Sequence, residues 1–264
     1  MNIIVCVKQV PATNEVKINK ETNTIIREGV ESVINPFDVY ALEESLRIKD
    51  RVDGKVTVIS MGIPSAAALL KETISFGADE AVLLSDRSFA GADSLATSYT
   101  LSMGIKKLGN YDLIICGKQA TDGDTAQVGP GLAEKLGIPH TTYVKKIEEI
   151  KEGCIRCQRI TEDGYEMIEM TLPALITVVK DINEPRLPSV KNLIRARNYM
   201  VPVWTAEDIA ADTNLCGLRG SPTQVVKTFV PVHDINNEML QGNAKEQAEK
   251  LVKKLFEIEN AAFE

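Results

Sequence analysis

Residues 112–133 read Asp112-Leu-Ile-Ile-Cys-Gly-Lys-Gln-Ala-Thr-Asp122-Gly-Asp-Thr-Ala-Gln-Val-Gly-Pro-Gly-Leu-Ala133. A short apolar run leads into a loop dense in Gly, Asp and Thr, and the loop into an amphipathic segment. A strand feeding a small-residue loop that opens a helix presents backbone N–H groups and the positive end of a helix dipole, which is the chemistry of anion binding. Gly123 and Gly129 permit close backbone approach, Thr125 and Gln127 offer neutral hydrogen bonds, and Asp122 or Asp124 can accept from ribose hydroxyls. Two carboxylates would repel a bare phosphate. Backbone N–H groups from Thr125 through Ala126 and Gln127 to Val128 are therefore expected to hold phosphate, with one aspartate turned to a sugar or capping the helix. The loop carries neither GxGxxG nor the GxxxxGK of a P-loop, so neither standard label applies.

No other reactive residues form a comparable set. Cys154 and Cys157 make a CxxC, but Gly153-Cys-Ile-Arg-Cys-Gln-Arg159 reads as a strand, on which positions three apart point to opposite faces. His140 and His233 stand apart from any metal-ligand or nucleophile arrangement. Neither a metal site nor a catalytic side chain is expected. Five cysteines, an odd number without scaffold spacing, suit a reducing compartment.

With 264 residues, 44% hydrophobic and 25% charged, the chain can bury a large core as one big or two smaller domains. A formal net charge of −7 argues against nucleic acid or an anionic membrane surface as the main partner. No apolar run approaches a membrane span, and the opening Met1-Asn-Ile-Ile-Val-Cys-Val-Lys8 reads as the first strand of a cytoplasmic protein.

The elements that must position the loop alternate over the first half. Apolar runs at Ile3 to Val7, Val56 to Met61, Ala81 to Leu84 and Leu113 to Cys116 are short and unalternated, as parallel strands covered on both faces should be. Between them lie helical patterns from Asn35 to Arg47, Ser65 to Phe76, Asp93 to Leu108 and Gln127 to Leu136. This spacing predicts an α/β fold with a parallel, twisted sheet and flanking helices. Asn35 before Pro36, and Ser65 before an alanine run, are helix-start signals; Gly77-Ala78-Asp79 is a stop. After residue 140 the pattern changes to antiparallel alternation at Tyr143 to Ile150, Cys154 to Thr161, Tyr165 to Thr171 and Leu175 to Val179, with Glu162-Asp163-Gly164 joining two of them as a hairpin. From Asp181 to about Gly220 there is little periodicity. An irregular link including Thr228-Phe-Val-Pro-Val232 then precedes an amphipathic helix from about Asn243 to Glu259, with Ala248, Leu251, Val252, Leu255 and Ile258 on one face and a partner surface to seek.

Several of these segments resemble one family. The stretch Arg159-Ile-Thr-Glu-Asp-Gly-Tyr-Glu-Met-Ile-Glu-Met-Thr-Leu-Pro-Ala-Leu-Ile-Thr177 is similar to the signature of electron transfer flavoprotein β subunits, with its basic residue, acidic-Gly turn, Glu166 and Pro-x-aliphatic-aliphatic close. Cys157 departs from it, standing where a small or branched aliphatic residue is usual. Val7-Lys8-Gln9-Val10-Pro11, Asn35-Pro36-Phe37, Gly117-Lys118-Gln119-Ala120 with Asp122 beyond, and Asn183-Glu184-Pro185-Arg186 agree in register.

The resemblance implies an adenine nucleotide α-hydrolase-like fold over residues 1–227, a recognition loop at about 183–198, and an extended C-terminal arm, 228–264, docking on the α subunit of a heterodimer. Nucleotide contacts then fall on Cys6, on Asn35, Pro36, Phe37 and Asp38, on Met61, and on Asp122 to Ala133. Family members hold AMP as a structural filler or bind a second FAD that bifurcates the electrons of NADH. Asp122-Gly-Asp-Thr-Ala-Gln-Val-Gly-Pro130 looks like the bifurcating loop, and Gly91-Ala92-Asp93-Ser-Leu-Ala-Thr97 resembles a segment associated with the added flavin, which adds Asp93 and Thr97 to the site. The implied acceptors are ferredoxin or flavodoxin and, through the α-subunit FAD, an acyl-CoA (butyryl-CoA) dehydrogenase contacted by Leu187, Val190 and Lys191. The alternatives are a conventional subunit holding AMP and, more remotely, a nucleotide-hydrolysing enzyme on the same scaffold.

Overall fold

The computed structural model describes residues 1–12, 17–19, 24–26, 31–226 and 237–261. The chain divides into two compact units, Met1–Val226 and Lys227–Glu264. In chain order the first unit runs β1 (Asn2–Cys6), β2 (Gln9–Pro11), β3 (Lys17–Asn19), β4 (Thr24–Ile26), β5 (Ser32–Ile34), α1 (Pro36–Val52), β6 (Lys55–Met61), α2 (Ala66–Phe76), β7 (Glu80–Leu84) and α3 (Ser94–Leu108). It continues through β8 (Leu113–Gly117), α4 (Val128–Leu136), β9 (His140–Lys151), β10 (Cys154–Ile160), β11 (Tyr165–Thr171), β12 (Ala174–Val178), α5 (Val190–Asn198) and β13 (Val203–Trp204).

One nine-stranded sheet carries the unit, in the order β11-β10-β9-β12-β8-β1-β6-β7-β13. From β13 to β9 the neighbours are parallel; β9, β10 and β11 extend the sheet antiparallel. Strand residues alternate between two apolar layers, as successive side chains on a strand must. Ile3 and Val5 face Leu42 and Leu46 of α1 and Leu70 of α2, whereas Ile4 and Cys6 face Ile105 of α3 and Leu132 of α4. Helices therefore cover both faces, which explains why the parallel strands read as unbroken apolar runs. The hairpin at Gly164 forms as expected, with the Thr161 N–H donated to the Gly164 carbonyl at 2.9 Å.

Two expectations are corrected. Leu175 to Val179 does not belong to the antiparallel set: as β12 it lies parallel to both β8 and β9. Every residue of β12 is buried, so it carries no two-face alternation from which orientation can be read. The stretch from Asp181 to Gly220 is not irregular throughout. It holds α5 and β13, both made by tertiary contact rather than local pattern. Ser189 Oγ caps α5 by accepting from the Asn192 N–H at 3.2 Å, Arg195 reaches the Ala78 carbonyl, and Ala196 is buried. Leu83 N–H to Pro202 O at 2.9 Å and Ser85 N–H to Trp204 O at 3.0 Å fix β13 on the sheet edge.

The second unit contains α6 (Ala244–Ala261). Its start is a capping box: Asn243 Oδ1 accepts from the N–H groups of Lys245 and Glu246 at 3.1 and 3.0 Å, and the Glu246 carboxylate accepts from the Asn243 N–H at 3.2 Å. Thr228 to Val232 lies outside the described residues. No helix among the described residues is long and apolar enough to cross a membrane.

Candidate functional site

Among β1, β6, β7, β8 and β12 the spatial order is third, second, first, fourth, fifth, so the winding direction reverses between β1 and β8. Open α/β sheets bind ligands at the carboxyl ends of the strands flanking such a reversal. Cys6 and Cys116, directly paired across these two strands, form its floor. The hydrogen bond with Cys6, then burial, then the charges of Cys6 and Asp38, hold the Cys116 thiol well above its ordinary value. It is therefore protonated and unreactive at neutral pH.

Asn35 ties the two strand exits together. Its backbone N–H is donated to the Lys8 carbonyl beyond β1 at 2.8 Å. Its side-chain amide donates to the Gln119 carbonyl at 2.8 Å, and its Oδ1 accepts from the Thr121 N–H at 3.1 Å, both beyond β8. Asn35 stands at the N-cap position of α1 but makes no capping bond with its side chain. Ser65, the other expected cap, makes none either.

Asp38, in the first turn of α1, is buried and accepts from the Lys8 N–H at 2.8 Å. Burial pushes its carboxyl up to about 7; hydrogen bonds from Asn35, Lys8 and Gly117 and the Lys8 charge pull the other way and are outweighed. Gly117 makes the packing possible. A Cβ there would stand 2.3 Å from Asp38 Oδ1 and 2.6 Å from the Phe37 carbonyl carbon. Pro36 occupies the first helical position and Phe37 is half-buried. The Lys118 ammonium lies 5.9 Å from the Phe37 ring centre and 5.1 Å from that of Tyr143.

The loop from residue 118 to 127 borders the floor. Asp124 and Ala126 hold left-handed conformations, each with φ of 53°. Gln127 returns to right-handed geometry at φ −102°, ψ −18° before α4 begins at Val128. A left-handed residue followed by a right-handed one, as at Ala126 and Gln127, turns adjacent N–H groups toward one side, an arrangement that suits an anion. The N–H groups of Thr125, Ala126, Gln127 and Val128 have no acceptor among the described residues. Gly129 seats the helix against the sheet, since a Cβ there would meet the Thr177 methyl at 2.4 Å. Around Gly123 a Cβ would meet nothing within 4 Å, so this side of the loop is open.

The two aspartates are both occupied. Asp122 takes the Lys8 ammonium on both oxygens, at 2.6 and 2.8 Å, and Asp124 accepts from the Gln119 side chain. Neither caps α4, whose N-cap position is Gln127, because the helix begins only at Val128. That corrects the expected capping role. The arrangement neutralises one carboxylate beside the anion concavity with a lysine, which answers the repulsion expected of the bare sequence.

The remaining expected residues are more dispersed. Met61 ends β6, half-buried against the α3/α4 layer, and Ala133 is fully buried in that layer. Asp93 and Thr97 lie at the start of α3, where Asp93 caps the helix with one carboxylate oxygen. Leu187 is 89% and Val190 75% exposed, and Lys191 is exposed beside them. Arg186 roots that segment through Glu43 at 2.8 Å and Asp50 at 3.0 Å. Residues absent from the expected site are Lys8, Gly117, Gln119 and Thr121. A glycine ending a strand directly before a Lys-Gln loop was the available sign for Gly117, and Lys8 and Gln119 stand in segments that match the family; Thr121, which contributes a backbone N–H, leaves no sequence trace.

The electron transfer flavoprotein domain family matches residues 22–209. The chain is 52% identical to the electron transfer flavoprotein subunit beta of Thermoanaerobacterium thermosaccharolyticum and 51% identical to that of Clostridium acetobutylicum, over 97% of this chain and 98% of each relative. It is 50% identical, with the same coverage of both chains, to the caffeyl-CoA reductase-Etf complex subunit CarD of Acetobacterium woodii. With the reversal-point crevice and its loop, these likenesses place the chain in the electron transfer flavoprotein family, among the β subunits.

Proposed function

We propose that this chain is the β subunit of a bifurcating electron transfer flavoprotein, working with an α subunit and holding FAD in the crevice between β1 and β8. The observation that carries the reading is the run of N–H groups from Thr125 to Val128 that find no acceptor among the described residues, with a left-to-right-handed step at Ala126 and Gln127, at the start of α4 beside the Asn35 bridge. A diphosphate-bearing nucleotide fits such a concavity, and the open flank at Gly123 leaves room for the larger ligand. When bound, FAD supplies the two-electron oxidation of NADH and the division of its electrons between ferredoxin or flavodoxin and, through the α-subunit FAD, an acyl-CoA dehydrogenase such as one for butyryl-CoA.

This chain's own residues bind and orient. Backbone groups at 125–128 hold phosphate, Asn35 and Asp38 fix the wall, Cys6 and Met61 supply apolar contact, and Thr97 lies on the α3 side. Leu187, Val190 and Lys191 form the contact for the dehydrogenase, and the exposed Leu251, Val252, Leu255 and Phe256 of α6 are the face for the α subunit. The CarD relative is named as part of a caffeyl-CoA reductase complex, which supports a coenzyme-A-linked dehydrogenase as partner. Structural AMP is the second reading, favoured by one observation: both carboxylate oxygens of Asp93 are engaged by protein groups and so are not offered to an added flavin.

The αβ complex under anaerobic conditions, given NADH and ferredoxin, tests the proposal. Ferredoxin should be reduced only when the dehydrogenase and an enoyl-CoA acceptor are also present. Dehydrogenase reduction without any ferredoxin reduction would establish the conventional reading instead.

A further inference from the structure

Asp93 connects two parts of the first unit that are far apart in sequence. Its Oδ1 caps α3 by accepting from the N–H groups of Leu95 and Ala96 at 2.9 and 3.0 Å. Its Oδ2 accepts from the N–H and the hydroxyl of Thr223 at 3.2 and 2.8 Å. Its own N–H is donated to Ser221 Oγ at 2.8 Å, and that hydroxyl is donated onward to the Gly217 carbonyl at 2.7 Å. The segment is laid closely over residues 88–91. Leu218 N–H reaches the Ala90 carbonyl at 3.0 Å, and a Cβ on Gly217 would stand 2.2 Å from the Ser88 carbonyl oxygen. The first unit ends at Val226, just beyond this tie.

We propose that Asp93 is a positioning residue that anchors the chain's exit from the first unit, fixing on α3 the point from which the C-terminal unit departs. A charged acceptor with four donors is a strong tie, since hydrogen bonds to ionised groups contribute about twice what neutral ones do. Burial works to raise the Asp93 carboxyl, but the bonds from Ala96, Thr223 and Leu95 outweigh it and hold the group below its ordinary value. The acceptor therefore stays ionised across neutral pH. The anchor is also continuous with the loop site. Ser98 of α3 donates to the Val128 carbonyl at 3.2 Å, and a Cβ on Gly131 would meet the Ser98 hydroxyl at 2.8 Å. Chain exit and the start of α4 thus belong to one packed block, whichever nucleotide the crevice takes.

Hydrogen exchange of the full-length chain tests this with two variants. Asp93→Asn keeps an oxygen for the helix cap but opposes the Thr223 N–H with an amide donor, while Thr223→Val leaves the Asp93 cap intact and removes only the hydroxyl. Both should speed exchange of the amide at residue 223, the one in 221–226 with an acceptor among the described residues, by about tenfold or more, with β1 and α4 unchanged. Unchanged exchange of the residue 223 amide in Thr223→Val overturns the proposal. So does loss of bound nucleotide from Asp93→Asn without faster exchange there, which would make Asp93 a ligand contact instead.

Discussion

Replacing Asp38 by asparagine removes a carboxyl that burial holds far from its ordinary range, the one so displaced among the described residues. In the folded chain the group sits at about 7, against 3.8 for an ordinary aspartate. Each pH unit of such a rise is about 1.4 kcal/mol, so ionised Asp38 costs the fold roughly 4 kcal/mol relative to its protonated form. The sign follows from proton uptake. Because the folded carboxyl has the higher value, the folded state keeps a proton that the unfolded chain has released. Its contribution is complete below about pH 4 and is lost as pH rises through about 7. The substituted amide does not titrate and retains a carbonyl oxygen for the Lys8 N–H. Urea unfolding of the nucleotide-stripped chain and the Asp38→Asn variant, run from pH 5 to pH 8, isolates this one group by difference. The variant should gain on the parent by about 1.4 kcal/mol per pH unit until about 7 and then level off. A flat difference, or one that shrinks with rising pH, would refute the assignment of a buried, proton-holding carboxyl at the crevice wall.

Gly117→Ala should push α1 away from the end of β8, with a cost of roughly 1–3 kcal/mol in unfolding free energy and a lower nucleotide content, because the new methyl meets backbone as well as Asp38. Asn35→Ala strands the Gln119 carbonyl and the Thr121 N–H; titration calorimetry with FAD or AMP should show affinity about tenfold or more weaker. Val190→Asp should slow electron delivery to the dehydrogenase about tenfold while nucleotide content stays at the parent value, and stopped-flow rates equal to the parent's would reject Val190 as the docking contact.

What the sequence discloses and what it hides divide along physical lines. The parallel strands were legible because burial on both faces leaves unbroken apolar runs such as Leu113 to Cys116, and the hairpin because Gly164 alone tolerates its φ of 148°. That same two-sided burial erased the orientation of β12. The helix α5 was hidden because its Val190-Lys-Asn-Leu-Ile-Arg-Ala-Arg-Asn198 buries little beyond Ala196 and relies on Ser189 and Arg195 reaching other elements. At the candidate site, residue types pointed to the loop at 122–129, but Asn35 looked like a helix cap and proved to be a bridge between strand exits. Left-handed Asp124 and Ala126 could not be foreseen, since neither residue type demands that conformation. The pairing of Asp122 with Lys8 joins positions distant in sequence and leaves no local mark.

The central claim, that the crevice between β1 and β8 holds a working FAD, is tested most directly by extracting the nucleotides of the purified αβ complex. About two FAD per heterodimer and no AMP are expected. About one FAD accompanied by about one AMP would contradict it.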